Sequence, residues 1–131
     1  MNRQKCDELF TDEVLARLFP KDRADQFFDA LLGDASEGAY DISLGYAGTT
    51  GDTIQFEIIL TQRPGHCLAC NLTHGLPQVF SRHPVINLKG LAHNIEELLG
   101  NGCRCVDWAV GSTNQKTRNV HVIPFSVRIK G

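Results

Sequence analysis

The chain has 131 residues, of which 42% are hydrophobic and 21% charged, and this composition is that of one ordinary globular domain. Thirteen Lys and Arg residues against fifteen Asp and Glu residues give a formal net charge of −2, which favours neither nucleic acid nor a membrane as partner. No apolar run approaches the ~20 residues that span a bilayer, and the N-terminus lacks the apolar core of a signal peptide. We therefore expect a single cytoplasmic domain over residues 1–131, with residues 1–10 forming a flexible N-terminal segment.

Two amphipathic helices are predicted near the N-terminus. Thr11 is a favourable N-cap residue, and the apolar stripe after it predicts the first helix. The second helix is predicted from about Lys21 to Leu32. Its apolar residues follow helical spacing and are Ala24, Phe27, Phe28, Leu31 and Leu32. Gly33 is well placed to end this helix in a left-handed conformation.

The spacing of apolar residues then changes to the alternation of half-buried strands. Two strands are predicted, over residues 40–47 and 54–60. Pro64 and Gly65 suit the central positions of a type II turn, since proline fixes the first φ and glycine accepts a positive second φ. We therefore expect residues 67–73 to return as a third antiparallel strand.

A third helix and two more strands complete the predicted order. Asn87 is expected to cap the helix, whose apolar stripe is Leu88, Leu91, Ala92, Ile95, Leu98 and Leu99. The last two strands are predicted over residues 106–110 and 120–129. Pro124 interrupts the final strand and indicates an edge strand or a bulge, because proline cannot donate to a neighbouring strand.

The predicted order is ααβββαββ, with strands grouped in hairpins. This grouping predicts an α+β fold with a five-stranded, mainly antiparallel sheet and the helices packed on one face. In topology the order resembles that of the small acidic α+β chaperones of bacterial secretion systems, which bind extended segments of a client protein. The resemblance implies a chaperone-like binding role.

Four of the five cysteines form a Cys-x-x-Cys pair, Cys67 and Cys70, and a Cys-x-Cys pair, Cys103 and Cys105. Together they could hold zinc, and the first pair could act as a thiol-redox couple. Residues i and i+3 of a strand point to opposite faces, so we expect no disulfide between Cys67 and Cys70. Buried, chemically idle thiols are favoured, so no cofactor is predicted and zinc is the alternative. Cys6 is expected to lie in the flexible segment without a partner.

The segment from Gly75 to Asn87 is the candidate binding surface, because it is long for a connecting loop. Arg82 and His83 precede the third helix, whose N-terminal amides favour an anion. The hypothetical ligand-binding set is Arg82, His83, Asn87, Phe80 and His74.

We therefore expect a binding domain, either monomer or homodimer, that recognises a protein segment or a small anionic ligand at residues 75–87. The alternative is a zinc-binding or thiol-redox protein using the four cysteines. A third hypothesis is a hydrolase in which a cysteine works with His66, His74, His83 or His121. An enzyme is disfavoured, because no catalytic motif supports a named chemistry.

Overall fold

The computed structural model of the chain describes residues 3–68, 75–100 and 102–130. Within these residues the chain forms five α-helices and five β-strands. The helices are Arg3–Leu9 (α1), Asp12–Leu18 (α2), Arg23–Leu32 (α3), Leu76–Arg82 (α4) and Leu88–Leu99 (α5). The strands are Tyr40–Thr50 (β1), Thr53–Gln62 (β2), Arg104–Val110 (β3), Asn114–Thr117 (β4) and Val120–Lys130 (β5), and a short 3₁₀ turn, Ala35–Glu37, precedes β1.

The strands form one antiparallel sheet in the order β1-β2-β5-β3, and β4 also pairs with β5. The predicted α+β fold with a five-stranded antiparallel sheet is therefore confirmed. The side chains of Ile54, Phe56 and Ile58 from β2 and of Phe125 and Val127 from β5 are almost completely buried in the core with those of the helices. No helix among the described residues has the length and apolarity needed to cross a membrane.

The N-terminal segment, which we expected to be flexible, contains a helix. Arg3–Leu9 is a helix, and the Cys6 side chain on it is fully buried in the core. This burial was not predicted, because five of the seven residues in this helix, all except Cys6 and Leu9, are polar or charged. The predicted cap of α2 is confirmed, since the Thr11 hydroxyl accepts a hydrogen bond from the Val14 N–H at 3.3 Å.

The helix α3 matches its prediction apart from its last turn. Ala24, Phe27 and Phe28 are buried, and Gly33 ends the helix with a φ of 80°. Leu31 and Leu32, however, are 54% and 49% exposed. Both residues follow the helical spacing, but no described element covers them.

The predicted third strand at residues 67–73 is wrong where the structure describes it. The turn at Pro64-Gly65 does form, with Gly65 at a φ of 79° and the His66 N–H donating to the Arg63 carbonyl at 3.2 Å. The chain then leaves the sheet, and the Leu68 N–H donates to the side chain of Gln62 at 3.0 Å. Residues 69–73 lie outside the described residues. Both sides of β2 are already paired, with β1 and with β5, so a returning strand has no position beside it.

The expected loop from Gly75 to Asn87 contains the helix α4. Leu76, Pro77 and Phe80 are buried on its inner face. Pro77 lies in the first turn of this helix, where the missing N–H of proline is not needed. Asn87 then caps α5 as predicted, by accepting a hydrogen bond from the Gly90 N–H at 3.2 Å.

The predicted inner face of α5 is confirmed except at one position. Leu88, Leu91, Ala92, Ile95 and Leu99 are buried, whereas Leu98 is 43% exposed.

The position of Pro124 also differs from the prediction, because β5 lies inside the sheet and not at its edge. The Gly111 N–H donates to the Pro124 carbonyl at 2.8 Å, so the missing N–H of Pro124 also faces this side. The neighbouring strand is broken there, between the end of β3 at Val110 and the start of β4 at Asn114. The interruption that proline requires is therefore in the partner strand.

Candidate functional site

Strand β1 forms one edge of the sheet and has a regular outer side. Ala39 lies opposite Arg63, and its carbonyl accepts the Arg63 N–H at 3.0 Å. Because inward and outward backbone groups alternate along an antiparallel strand, Asp41, Ser43 and Gly45 bond to β2. The N–H and C=O groups of Tyr40, Ile42 and Leu44 therefore point away from the sheet.

These outward backbone groups have no backbone partner among the residues that the structure describes. They lie in a run from Tyr40 to Tyr46 that has no register shift; the first irregularity comes between Tyr46 and Gly48. Asp41 is the one charged residue of β1. An edge strand of this length with few charges is open to pairing with another strand.

A groove of about 460 Å³ runs beside this edge. On the sheet side it is lined by residues 41–45 and Ile59, and on the helical side by Asp12, Ala16, Phe19 and Lys21. Its volume is within the range of roughly 300–1,000 Å³ that ligand-binding clefts have. Helix α2 thus forms a wall opposite the unpaired edge.

Aromatic contacts fix the direction of α2 along the groove. The ring of Phe10, just before α2, lies 5.4 Å from the ring of Tyr46. The ring of Phe28, in the next helix, lies 4.9 Å from that of Tyr40. Helix α2 therefore runs antiparallel to β1, with its N-terminus beside the Tyr46 end.

Gly45 gives the groove access to a second apolar side chain. A Cβ atom at Gly45 would meet the Cδ1 atom of Ile59 at 2.9 Å, so the side chain of Ile59 occupies the space above this glycine. Ile42 and Leu44 contribute the apolar floor on the helical side of the strand. A segment lying along β1 would therefore find apolar contacts on both faces.

Arg63 holds the beginning of β1 in place. Its Nε donates to Asp41 at 3.0 Å and its second terminal nitrogen donates to Asp25 at 2.7 Å. The first terminal nitrogen donates to the carbonyls of Ala35 and Gly38, at 2.9 and 3.4 Å. One side chain thus joins the end of β2 to α3, to the 3₁₀ turn and to β1.

The opposite edge of the sheet is much less open to pairing. Strand β3 has a register shift between Cys105 and Asp107, and β4 has another between Gln115 and Thr117. The break between the two strands separates these irregularities, and Lys116 places a charge on β4. Bulges, short strands and charges are the usual means by which proteins block edge pairing, so β1 differs from this edge.

The residues predicted at 75–87 have mainly structural contacts. Phe80 is fully buried against Phe27, with ring centroids 5.3 Å apart. The ring of His83 also packs on Phe27, at 4.8 Å, and its Nδ1 accepts the Val85 N–H at 3.2 Å. Asn87 caps its own helix. Arg82 is exposed at the end of α4, and His74 lies outside the described residues, so an anion site here stays a prediction.

The cysteines divide into two states. Cys6, Cys103 and Cys105 are free thiols, and Cys67 is disulfide-bonded. Cys70 lies outside the described residues, so the predicted absence of a bridge between Cys67 and Cys70 is not described. The sulfur of Cys67 is therefore not a free thiolate in this state. No group of three or more metal-binding side chains occurs in the described part of the chain.

Cys105 lies in a smaller groove of about 320 Å³ between α5 and β3, with His93, Glu96 and Asp107. Burial raises the pKa of the Cys105 thiol, and the Glu96 and Asp107 carboxylates raise this pKa further. A nucleophilic cysteine needs a lowered pKa. The groove therefore offers no activated thiol to a hydrolytic reaction.

His121 is 8% exposed, and its Nδ1 has no hydrogen-bond partner among the described residues. It lies opposite Leu60 of β2 and Gln115 of β4, whereas the free thiol of Cys105 lies on β3. His66 is partly exposed in the turn after β2.

Sequence reasoning missed the residues of the β1 groove. The signal was present in part, because residues 40–46 alternate cleanly and hold one charge. What the sequence did not give was the position of this strand at the edge, or the presence of α2 beside it. Both depend on the pairing order of distant strands.

No protein-family model, no curated protein and no solved structure matches this chain.

Proposed function

We propose that the protein binds an extended segment of a partner protein, which adds as a further strand to the outer edge of β1. The observation that supports this most is the row of outward backbone groups at Tyr40, Ile42 and Leu44 beside the groove. Strand addition is a recurrent mode of peptide recognition, in which backbone hydrogen bonds give affinity and side-chain pockets give specificity.

The groove has the features that this mode of binding requires. A bound segment would exchange hydrogen bonds with Ile42 and Leu44, and every second side chain would enter the space between β1 and α2. Phe19 and Ala16 supply apolar surface there. The side chains between them would face the other side of the sheet, where Ile59 is accessible above Gly45.

The binding hypothesis drawn from the sequence is kept in this proposal, but its location changes. A protein segment is favoured over a small anion, because the groove is mainly apolar and is lined by five consecutive residues of β1, residues 41–45. Catalysis is not part of the proposal, since the free thiol with the most accessible setting, Cys105, has a raised pKa.

Amide hydrogen exchange in the presence of a probe peptide tests this proposal. The probe is a capped neutral peptide, Gly-Ser-Val-Ser-Val-Ser-Val-Ser-Gly. We expect it to slow the exchange of the Ile42 and Leu44 amides, which point outward in the free protein. The amides of Asp41 and Ser43 already bond to β2 and serve as controls in the same strand. Loss of this alternation, with all four amides affected equally or none affected, would count against strand addition.

Backbone N-methylation of the probe provides the matched control. Peptide residues that pair with β1 through their amides occur at every second position. Methylation of the paired set should abolish binding, whereas methylation of the alternate set should be tolerated. Equal loss from both sets would contradict the proposal. If the Ile42 and Leu44 amides instead become protected as the concentration of the free protein rises, the edge is occupied by a second copy of the chain.

A further inference from the structure

We infer that the partner segment carries basic residues beside its apolar residues, and that they lie at the Tyr46 end of the groove. This inference rests on the proposed function and adds the chemistry of the segment. Its basis is the distribution of charge around the groove.

Charge is distributed unevenly along the chain. Residues 7–41 hold ten of the fifteen acidic residues and three of the thirteen basic residues, although the whole chain has a formal charge of only −2. Residues 42–131 hold five acidic and eight basic residues. The acidic part comprises the end of α1, both following helices, the 3₁₀ turn and the start of β1. Of these elements, α2 and β1 line the groove.

The Tyr46 end of the groove is its most acidic part. Asp12 lines the groove there, and Glu13 follows it on the exposed surface of α2. Asp7 lies beside the same end, since its carboxylate accepts a hydrogen bond of 2.6 Å from the Tyr46 hydroxyl. Glu8 is the next residue in the sequence and is exposed.

The Tyr40 end is closer to electrical balance. Lys21 lines the groove at this end, and Arg63 neutralises Asp41 and Asp25 through direct ion pairs of 3.0 and 2.7 Å. Complementary charges steer the right partner to an interface, and like charges placed next to each other disfavour the wrong one. An acidic segment would therefore be repelled at the Tyr46 end, and a basic one attracted.

Two charged versions of the probe peptide test the inference. Lys-Lys-Val-Ser-Val-Ser-Val-Lys-Lys and Glu-Glu-Val-Ser-Val-Ser-Val-Glu-Glu share one core and differ in the sign of their flanks. At low ionic strength we expect the lysine peptide to bind at least ~10-fold more tightly. The ratio should fall towards one as added salt reduces the Debye length to a few ångströms.

The double variant Asp12→Lys with Glu13→Lys locates the effect. It should reduce or reverse the preference for the lysine peptide. Glu96→Lys with Glu97→Lys changes the net charge by the same amount on α5, which does not line the β1 groove, and should leave most of the preference intact. If the two double variants behave alike, the preference reflects net charge and the inference is wrong.

The outcomes separate this inference from the function on which it rests. If the neutral peptide protects the Ile42 and Leu44 amides but the two charged peptides bind equally, only the charge inference fails. If none of the three peptides protects these amides, strand addition itself fails.

Discussion

Replacement of Arg63 by alanine should be the most informative single change outside the core, because this side chain joins four segments. Its side chain is 15% exposed, while its carboxylate partners Asp25 and Asp41 are 60% and 59% exposed. Each exposed ion pair contributes up to ~1 kcal/mol. The hydrogen bonds to the Ala35 and Gly38 carbonyls are partly buried and contribute about 1 kcal/mol each, with a further cost for the acceptors left unpaired.

The guanidinium of Arg63 also lies over the ring of Phe28, with 5.4 Å between its central carbon and the ring centroid. We therefore expect Arg63→Ala to lower the free energy of unfolding by about 2–4 kcal/mol. Arg63→Lys should recover only part of this loss, because an ammonium group cannot reproduce the planar fork of donors.

Urea denaturation at neutral pH measures these changes, with the midpoint and the slope fitted for each variant. Arg82→Ala is the matched control, because Arg82 is exposed on α4 and its loss should change stability by less than ~0.5 kcal/mol. A loss below ~1 kcal/mol in Arg63→Ala would refute the assigned role. In a double-mutant cycle, the stability loss of Arg63→Ala combined with Asp25→Asn should be smaller than the sum of the two separate losses. Added salt should reduce this difference.

Three further changes test the packing described above. Ile95→Ala should reduce the free energy of unfolding by about 2–5 kcal/mol. Leu98→Ala on the same helix should reduce it by less than ~1 kcal/mol, because Ile95 is buried and Leu98 is not. Similar losses would mean that the inner face of α5 is misassigned. Gly38→Ala should cost about 1–3 kcal/mol in urea denaturation, since the new Cβ atom would overlap the ring of Phe28; an unchanged midpoint would contradict this packing. Burial raises the pKa of Tyr40, so the folded state favours the neutral phenol. The stability that this contributes should be fully present below the unfolded-state pKa of ~10 and decline above it. Urea midpoints between pH 8 and pH 11 measure this decline, and a flat profile would exclude the linkage.

The sequence predicted those features of the fold that depend on neighbours in the chain. The cap at Thr11, the left-handed Gly33 and the turn at Pro64-Gly65 each follow from local backbone chemistry, and all three are confirmed. Alternation in β1 and β2 and helical spacing in α5 also identified most buried residues, because one face of each element packs on a single core.

The failures concern features that depend on distant parts of the chain. Leu98 and Leu32 follow the helical spacing, but their burial depends on whether another element covers that turn. A third strand was predicted to pair with β2, but the strand that takes this position is β5, more than 50 residues later in the chain. A turn fixes the local reversal of the chain but not the identity of the strand that takes the adjacent position.

The same limit explains why the proposed binding site lies at β1 and not at residues 75–87, as predicted from the sequence. A sequence can mark Arg82 and His83 as polar residues before a helix, but it cannot show that His83 packs on Phe27 or that Asn87 satisfies its own helix. Nor can it show which strand lies at an edge. In this fold β5 is flanked on both sides and β3 is interrupted, so β1 is the one strand of the described sheet that combines an open side with a regular run of residues. An open edge of this kind favours uncontrolled aggregation unless something pairs with it or repels other chains. In the proposed complex, a partner segment would cover this edge, and the acidic residues at the Tyr46 end would attract the basic residues of that segment.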